Sequence, residues 1–171
     1  EQDGMDRAGA VSLARGAYFE RSGNPVKARE ALSGGLRHIS GHEGTLGRLF
    51  RDALAENIAW VRNGHRGDWE LALADRYLQR RDYLRAITYL YESCVTRAVF
   101  DTKGNSNNYE ERKEAYDSVE RKHPEAKTLT RLRNAMVHGV RAEPDRGECL
   151  PLDDPDKLHE KLKQLRRTLF K

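Results

Sequence analysis

YLRAITYLYESCVTRAVF, residues 83–100, is the longest apolar stretch of the chain, and its spacing decides the fold. Leu84, Ile87, Leu90, Tyr91, Cys94, Val95 and Ala98 recur at three- and four-residue intervals, the period of an α-helix, with none of the strict alternation of a strand. So many apolar positions on a helix of this length predict burial on more than one side. Asp82, directly before the stretch, supplies an N-cap. A helix of this kind needs other helices around it, so the expected fold is all-α.

Working outward, nearly every segment has helical period. A first helix is expected over 9–21, ended by Ser22, Gly23 and Asn24. Asn24 and Pro25 then form a cap and first-turn pair for a second helix to about residue 38. A glycine-rich break over 40–47 follows, and a helix over 46–61 places Leu46, Leu49, Phe50, Ala53, Leu54, Ile58 and Val61 on one face. Residues 63–67 read as a loop, with Asp68 capping a short helix over 69–80. Residues 104–108, in KGNSNN, read as a flexible loop and as the strongest insertion point. Beyond it lie a highly charged helix over 109–122, a restart at Pro124 with Thr128 as a possible cap, and a helix ending at Gly139. After a loop rich in Pro, Asp and Gly over 141–155 comes a closing helix over 156–170 on Leu158, Leu162, Leu165 and Leu169. The count is about seven or eight helices, with 83–100 packed against the helix that ends at Gly139.

That last helix carries the chemistry. LTRLRNAMVHG, residues 129–139, presents Arg133, Asn134 and His138 in the turns before a terminating glycine. An imidazole, with an unperturbed pKa near ~6.5, exchanges protons with hydroxyl groups at neutral pH. A guanidinium stays charged and grips a phosphate as negative charge builds on it. Together these groups suit cleavage of a phosphodiester without a metal. At about 100° per residue, Asn134 and His138 lie within roughly 40° of each other, while Arg133 sits some 140° from His138. One ideal helix therefore does not converge this arginine on this histidine. Either the last turn loosens, or Arg133 reaches round, or a second copy of the helix completes the site.

The bare spacing carries no weight. An arginine five residues ahead of a histidine is expected about 0.8 times by chance in a chain with 22 Arg and 6 His. A second instance, Arg37 and His42, lies in RHISGHEG among helix-breaking residues and serves as a control. Context distinguishes the Arg133 copy: the adjacent Asn, the register of Leu129, Leu132, Met136 and Val140, and the glycine straight after His138. The competing structural role is a C-terminal histidine favoured by the helix dipole, with Arg133 in an ion pair.

Composition sets the outer limits. At 171 residues the chain is long enough for one domain with a real core, and 37% hydrophobic against 34% charged residues is polar yet globular. Arginine outnumbers lysine 22 to 9 and the net charge is +4, which permits an anionic partner such as RNA without demanding one. Cys94 and Cys149 are too few and too far apart for a zinc site or a disulfide framework, so a reducing, cytoplasmic setting is expected. No apolar run approaches the ~18 residues of a membrane span, and no signal-peptide pattern is present. The polar start at Glu1, without methionine, leads us to expect a piece of a longer protein.

With its helices placed, the chain resembles a HEPN domain, and more narrowly the C-terminal ribonuclease domain of the CRISPR-associated CARF-HEPN proteins. Two stretches carry the resemblance: ELALADRYLQRRDYLRAITYLYESCVTRAVF, residues 70–100, looks like the family's paired helices ahead of the catalytic one, and LRNAMVHG, residues 132–139, matches its pattern of arginine, polar residue, three variable positions and histidine. The resemblance implies a HEPN core over 63–171, with an N-terminal helical segment over 1–62 packed on it. It also implies a homodimer in which Arg133 and His138 of both subunits line one cleft. The implied activity is metal-independent cutting of single-stranded RNA, with no cofactor, leaving a 2',3'-cyclic phosphate and a 5'-hydroxyl in an antiviral defence effector. Arg133 would clamp the phosphate, His138 act as base or acid, and Asn134 orient, while Arg131 and Arg141 would add substrate contacts. In full-length relatives a CARF domain senses cyclic oligoadenylate. Nothing in this chain looks like that sensor.

Further residues have a functional and a plainer reading. Glu92 would pair with a motif arginine. Tyr109 and Tyr116 would stack on bases or pack between helices. Most of His38, His42, His65, His123 and His159, in loops or on charged faces, are expected to be exposed. Two other functions compete with catalysis. LADRYLQRRDYLRAITYLYES at 73–93 and LARGAYFERSGNPVKAREAL at 13–32 have the hairpin spacing of a tetratricopeptide-like interaction module, but they lie about 59 residues apart, not the ~34 a stacked array requires. A non-catalytic HEPN domain, serving as RNA binder or as partner of an antitoxin-type nucleotidyltransferase, would carry the same motif.

Overall fold

The computed structural model describes residues 7–40, 45–62, 64–139 and 150–170, with side chains except those of 39, 40 and 45–49. Among the described residues the regular structure is wholly helical, as expected: α1 (Arg7–Arg21), α2 (Pro25–Ser40), α3 (Thr45–Asn57), a 3-10 turn (Ala59–Val61), α4 (Arg66–Gln79), α5 (Tyr83–Asp101), α6 (Tyr109–Lys122), α7 (Pro124–His138) and α8 (Pro155–Leu169). The chain divides into two compact units, 1–69 and 70–171, with the division inside α4.

In the first unit α1 and α2 form a hairpin whose close approach depends on two glycines. A Cβ on Gly16 would stand 2.4 Å from Leu32 Cγ, and one on Gly35 would stand 2.6 Å from Leu13 Cδ2. Each helix thus lays a leucine into a notch on the other. Asn24 caps α2 by accepting from Lys27 N at 3.1 Å. Arg29 stacks its guanidinium 4.5 Å from the centre of the Trp69 ring and donates to Val61 O at 2.9 Å.

The second unit is built round α5. Its buried residues, Ala86, Ile87, Tyr89, Leu90, Ser93, Cys94, Val95, Thr96 and Val99, point in nearly every direction about the axis, which bears out burial on more than one side. α6, α7 and α8 all pack against it. Asp82 caps α5 by accepting from Arg85 N. Leu129 and Leu132 of α7 and Leu162 and Leu165 of α8 are almost completely buried. Arg166 adds a two-pronged bond to Asp75, at 3.0 and 2.9 Å, that ties α8 to α4.

Three helix ends share one geometry. Gly23, Arg81 and Lys103 have φ of 76°, 58° and 57°. In each case the next amide donates to a carbonyl five residues back: Asn24 to Phe19, Asp82 to Tyr77, Gly104 to Val99. This left-handed closure satisfies the last free carbonyls and reverses the chain. The acidic or amide residue that follows Gly23 and Arg81 then caps the next helix.

Several expectations are corrected. The break at 40–47 is shorter, because α2 includes Ser40 and α3 starts at Thr45. α3 ends at Asn57, so Ile58 and Val61 are buried from outside it, and Phe50 is exposed. α4 starts three residues early because Asp68 reaches back to accept from His65 N at 3.0 Å, acting from the third helical position and not as the cap. Thr128 is a buried interior residue of α7, which begins at Pro124 behind His123. His65 and His159 are half-buried, and His159 meets the Tyr83 ring edge-on at 5.9 Å. Lys103 to Asn108 is tied down by bonds from Asn105 N to Glu111 and from Arg112 to Ser106 O.

Candidate active site

The site residues stand where α7 ends. Gly139 takes φ of 63°, the left-handed conformation that stops the helix directly after His138. Leu129 and Leu132 anchor the buried face and Met136 is half-buried, which leaves Asn134 and His138 exposed one turn apart. His138 is exposed and makes no side-chain hydrogen bond or ion pair among the described residues.

Arg133 is held differently. Its guanidinium carbon lies 5.1 Å from the centre of the Tyr91 ring on α5, and Nη1 donates to Asn134 Oδ1 at 3.1 Å. Its Nε is buried and has no hydrogen-bond partner among the described residues. The Tyr91 ring is in turn packed on Tyr116 of α6, with centroids 4.6 Å apart. The Tyr116 and Thr130 hydroxyls meet each other, and their two protons are shared among that contact, Ala126 O at 2.9 Å from Tyr116 and Glu120 at 2.8 Å from Thr130. Burial raises both phenols above their ordinary range, with Arg133 opposing the shift at Tyr91 and the bond to Thr130 opposing it at Tyr116. Both rings therefore stay neutral at physiological pH and brace the arginine without competing for its charge.

Within one chain Arg133 meets Asn134, but no contact joins it to His138. Arg131 is half-buried on α7 and lies within about 20° of the direction of His138 two turns earlier. Arg141 falls outside the described residues, as do Val140, Cys149 and the control histidine His42. Glu92 pairs with Arg112 of α6 and not with a motif arginine. Tyr116 is a packing residue, whereas Tyr109 is 73% exposed. Cys94 is buried, and its thiol is pushed up from 9.0 to about 11 by burial, so it is no nucleophile.

The role of Tyr91 was not legible beforehand. Helical period places it on α5 but does not say which neighbour it meets. Among the described residues no cluster of three or more His, Cys, Asp or Glu could hold a metal, and no helix is long and apolar enough to cross a membrane. Comparison of the chain with protein-family models, curated proteins and solved structures returned no match.

Proposed function

We propose that this chain is a HEPN-type endoribonuclease domain that cuts single-stranded RNA without a metal, at a site shared by two copies, within a CRISPR-linked defence effector. The observation that carries the reading is the end of α7, where an exposed imidazole and an amide share one face and a guanidinium is braced beside the amide.

In this reading His138 Nε2 or Nδ1 takes the proton of a ribose 2'-hydroxyl. The oxygen attacks the adjacent phosphorus, and the P–O5' bond breaks. The leaving 5'-oxygen takes a proton from the second imidazole, giving a 2',3'-cyclic phosphate and a 5'-hydroxyl. Arg133 stabilises the charge gathered on the phosphoryl oxygens, the type of interaction worth most in the transition state. Asn134 orients the guanidinium through its carbonyl oxygen. Because Arg133 and His138 diverge on one helix, the second imidazole and a facing guanidinium come from the partner copy.

The test is cleavage of a fluorescent single-stranded RNA with EDTA present. Activity lost in His138→Ala and in Arg133→Ala, and kept in His42→Ala, is the expected result. Wild-type activity surviving both motif substitutions overturns the reading. A protein that cuts RNA as a strict monomer in light scattering removes the shared site, and one that binds RNA without cutting it is the non-catalytic alternative.

A further inference from the structure

The single-residue joint at His123 folds α7 back along α6, and the bonds across it show which sides face each other. Thr130 of α7 meets Glu120 and Tyr116 of α6. Continuing along α7 from Thr130, the next residues on the same ridge are Asn134 and His138, displaced by about 40° and 80°. Along α6 in the opposite direction, Tyr109 lies within about 20° of both Glu120 and Tyr116. Two facing ridges result. They are in contact at Thr130, and at the far end they carry Asn134 and His138 on one side and Tyr109 on the other.

The ends are also level. Tyr91 and Glu92 are neighbours on α5, and they touch Arg133 and Arg112 respectively. From that shared level Tyr109 is three residues along α6, about 4.5 Å, and His138 is five residues along α7, about 7.5 Å, toward the same end of the bundle. Packed helices stand roughly 8–10 Å apart axis to axis, which puts the exposed side chains of Tyr109 and His138 within the span of one nucleotide. Asn134, His138 and Tyr109 are all exposed there, as is Lys113, one turn along α6. Asn108 fixes the first turn of α6 by accepting from Glu110 N and Glu111 N, so Tyr109 is presented from an anchored backbone.

We infer that Tyr109 is the stacking platform for an unpaired nucleobase next to the scissile phosphate, with Lys113 facing the adjoining phosphate. This rests on the ribonuclease reading and adds to it a base subsite on α6. An aromatic face holds any base without reading its edge, so the subsite favours single strands and is tolerant of sequence.

The experiment uses the non-cleaving His138→Ala protein and single-stranded RNA carrying 2-aminopurine, which loses fluorescence when stacked. Quenching on binding is expected, with Tyr109→Ala in the same background abolishing it and weakening affinity roughly tenfold, within the range for one stacked base. Tyr109→Phe restores both, and Tyr18→Ala, a comparably exposed tyrosine on α1, changes neither. RNA replaced by an abasic linker at the quenched position binds the two proteins alike. If wild-type protein binds and cuts RNA but Tyr109→Ala quenches as strongly as its parent, the stacking role falls and the ribonuclease reading stands. RNA neither bound nor cut by wild-type protein overturns both.

Discussion

The Arg133 guanidinium rests 5.1 Å from the centre of the Tyr91 ring, a contact between helices 42 positions apart in sequence that gives the candidate phosphate clamp a fixed seat. Tyr91 makes no side-chain hydrogen bond among the described residues, so its ring and not its hydroxyl does the holding. Tyr91→Phe is therefore expected to match wild type. Tyr91→Leu loses the cation contact and the pairing with Tyr116, together about 1–3 kcal/mol of stability in urea unfolding. If the ribonuclease reading holds, the freed arginine also lowers kcat roughly ten- to a hundredfold, since small misplacements of a clamp cost that much. A Leu variant equal to wild type in both assays removes the seat.

Left-handed helix ends provide a second test, independent of function. Lys103 pays a steric cost at φ 57° that glycine does not. Lys103→Gly should therefore raise stability, by roughly 0.5–1 kcal/mol once glycine's extra unfolded-state entropy is subtracted. The reverse change, Gly23→Ala at φ 76°, should lower it by about 1 kcal/mol. Thermal melts that move in the same direction for both variants contradict the shared closure.

The α1–α2 hairpin depends on the notch at Gly16. A methyl group there meets Leu32 Cγ at 2.4 Å, and the adjacent Leu32 backbone at 3.3 Å limits retreat. Gly16→Ala is expected to cost about 1–3 kcal/mol through overpacking, despite alanine's better helix propensity. Gly34→Ala, whose added carbon would only reach Ser12 at 4.0 Å, should be neutral or stabilising. Circular dichroism during denaturation separates the two, and equal effects refute the notch.

Alkali should weaken the second unit through Cys94. The thiol's folded pKa is raised from 9.0 to about 11, so below pH 9 both states hold the proton and the stability is fully present. Between pH 9 and 11 the unfolded chain ionises while the folded one does not, and stability falls by up to roughly 3 kcal/mol. Tyr116, raised for the same reason, extends the loss to higher pH. Cys94→Ala should flatten the urea midpoint curve between pH 9 and 10, below the range where Tyr116 contributes. The native thiol should also resist alkylation at pH 8 until denaturant is added, and rapid modification of the folded protein would contradict its burial.

Much of this protein was local and therefore legible in one dimension. Asn24 and Asp82 announce helix starts through their own side-chain oxygens, Gly139 announces a stop through its freedom at positive φ, and the apolar spacing of 83–100 announces a helix surrounded by others. Helical phase also placed Asn134 and His138 on one face and set Arg133 apart from them. What only the tertiary structure decided was which remote surfaces meet. Arg81 and Lys103 show that a left-handed closure needs no glycine when the surrounding bonds enforce it, so those stops carried no letter to read. That Glu92 takes Arg112, that Tyr91 takes Arg133, and that Thr130 meets Tyr116 and Glu120 follow from how α6 and α7 lie on α5. Periodicity fixes the angle of a residue about its own axis, whereas the rotation and shift of one helix against another come from packing the whole core at once.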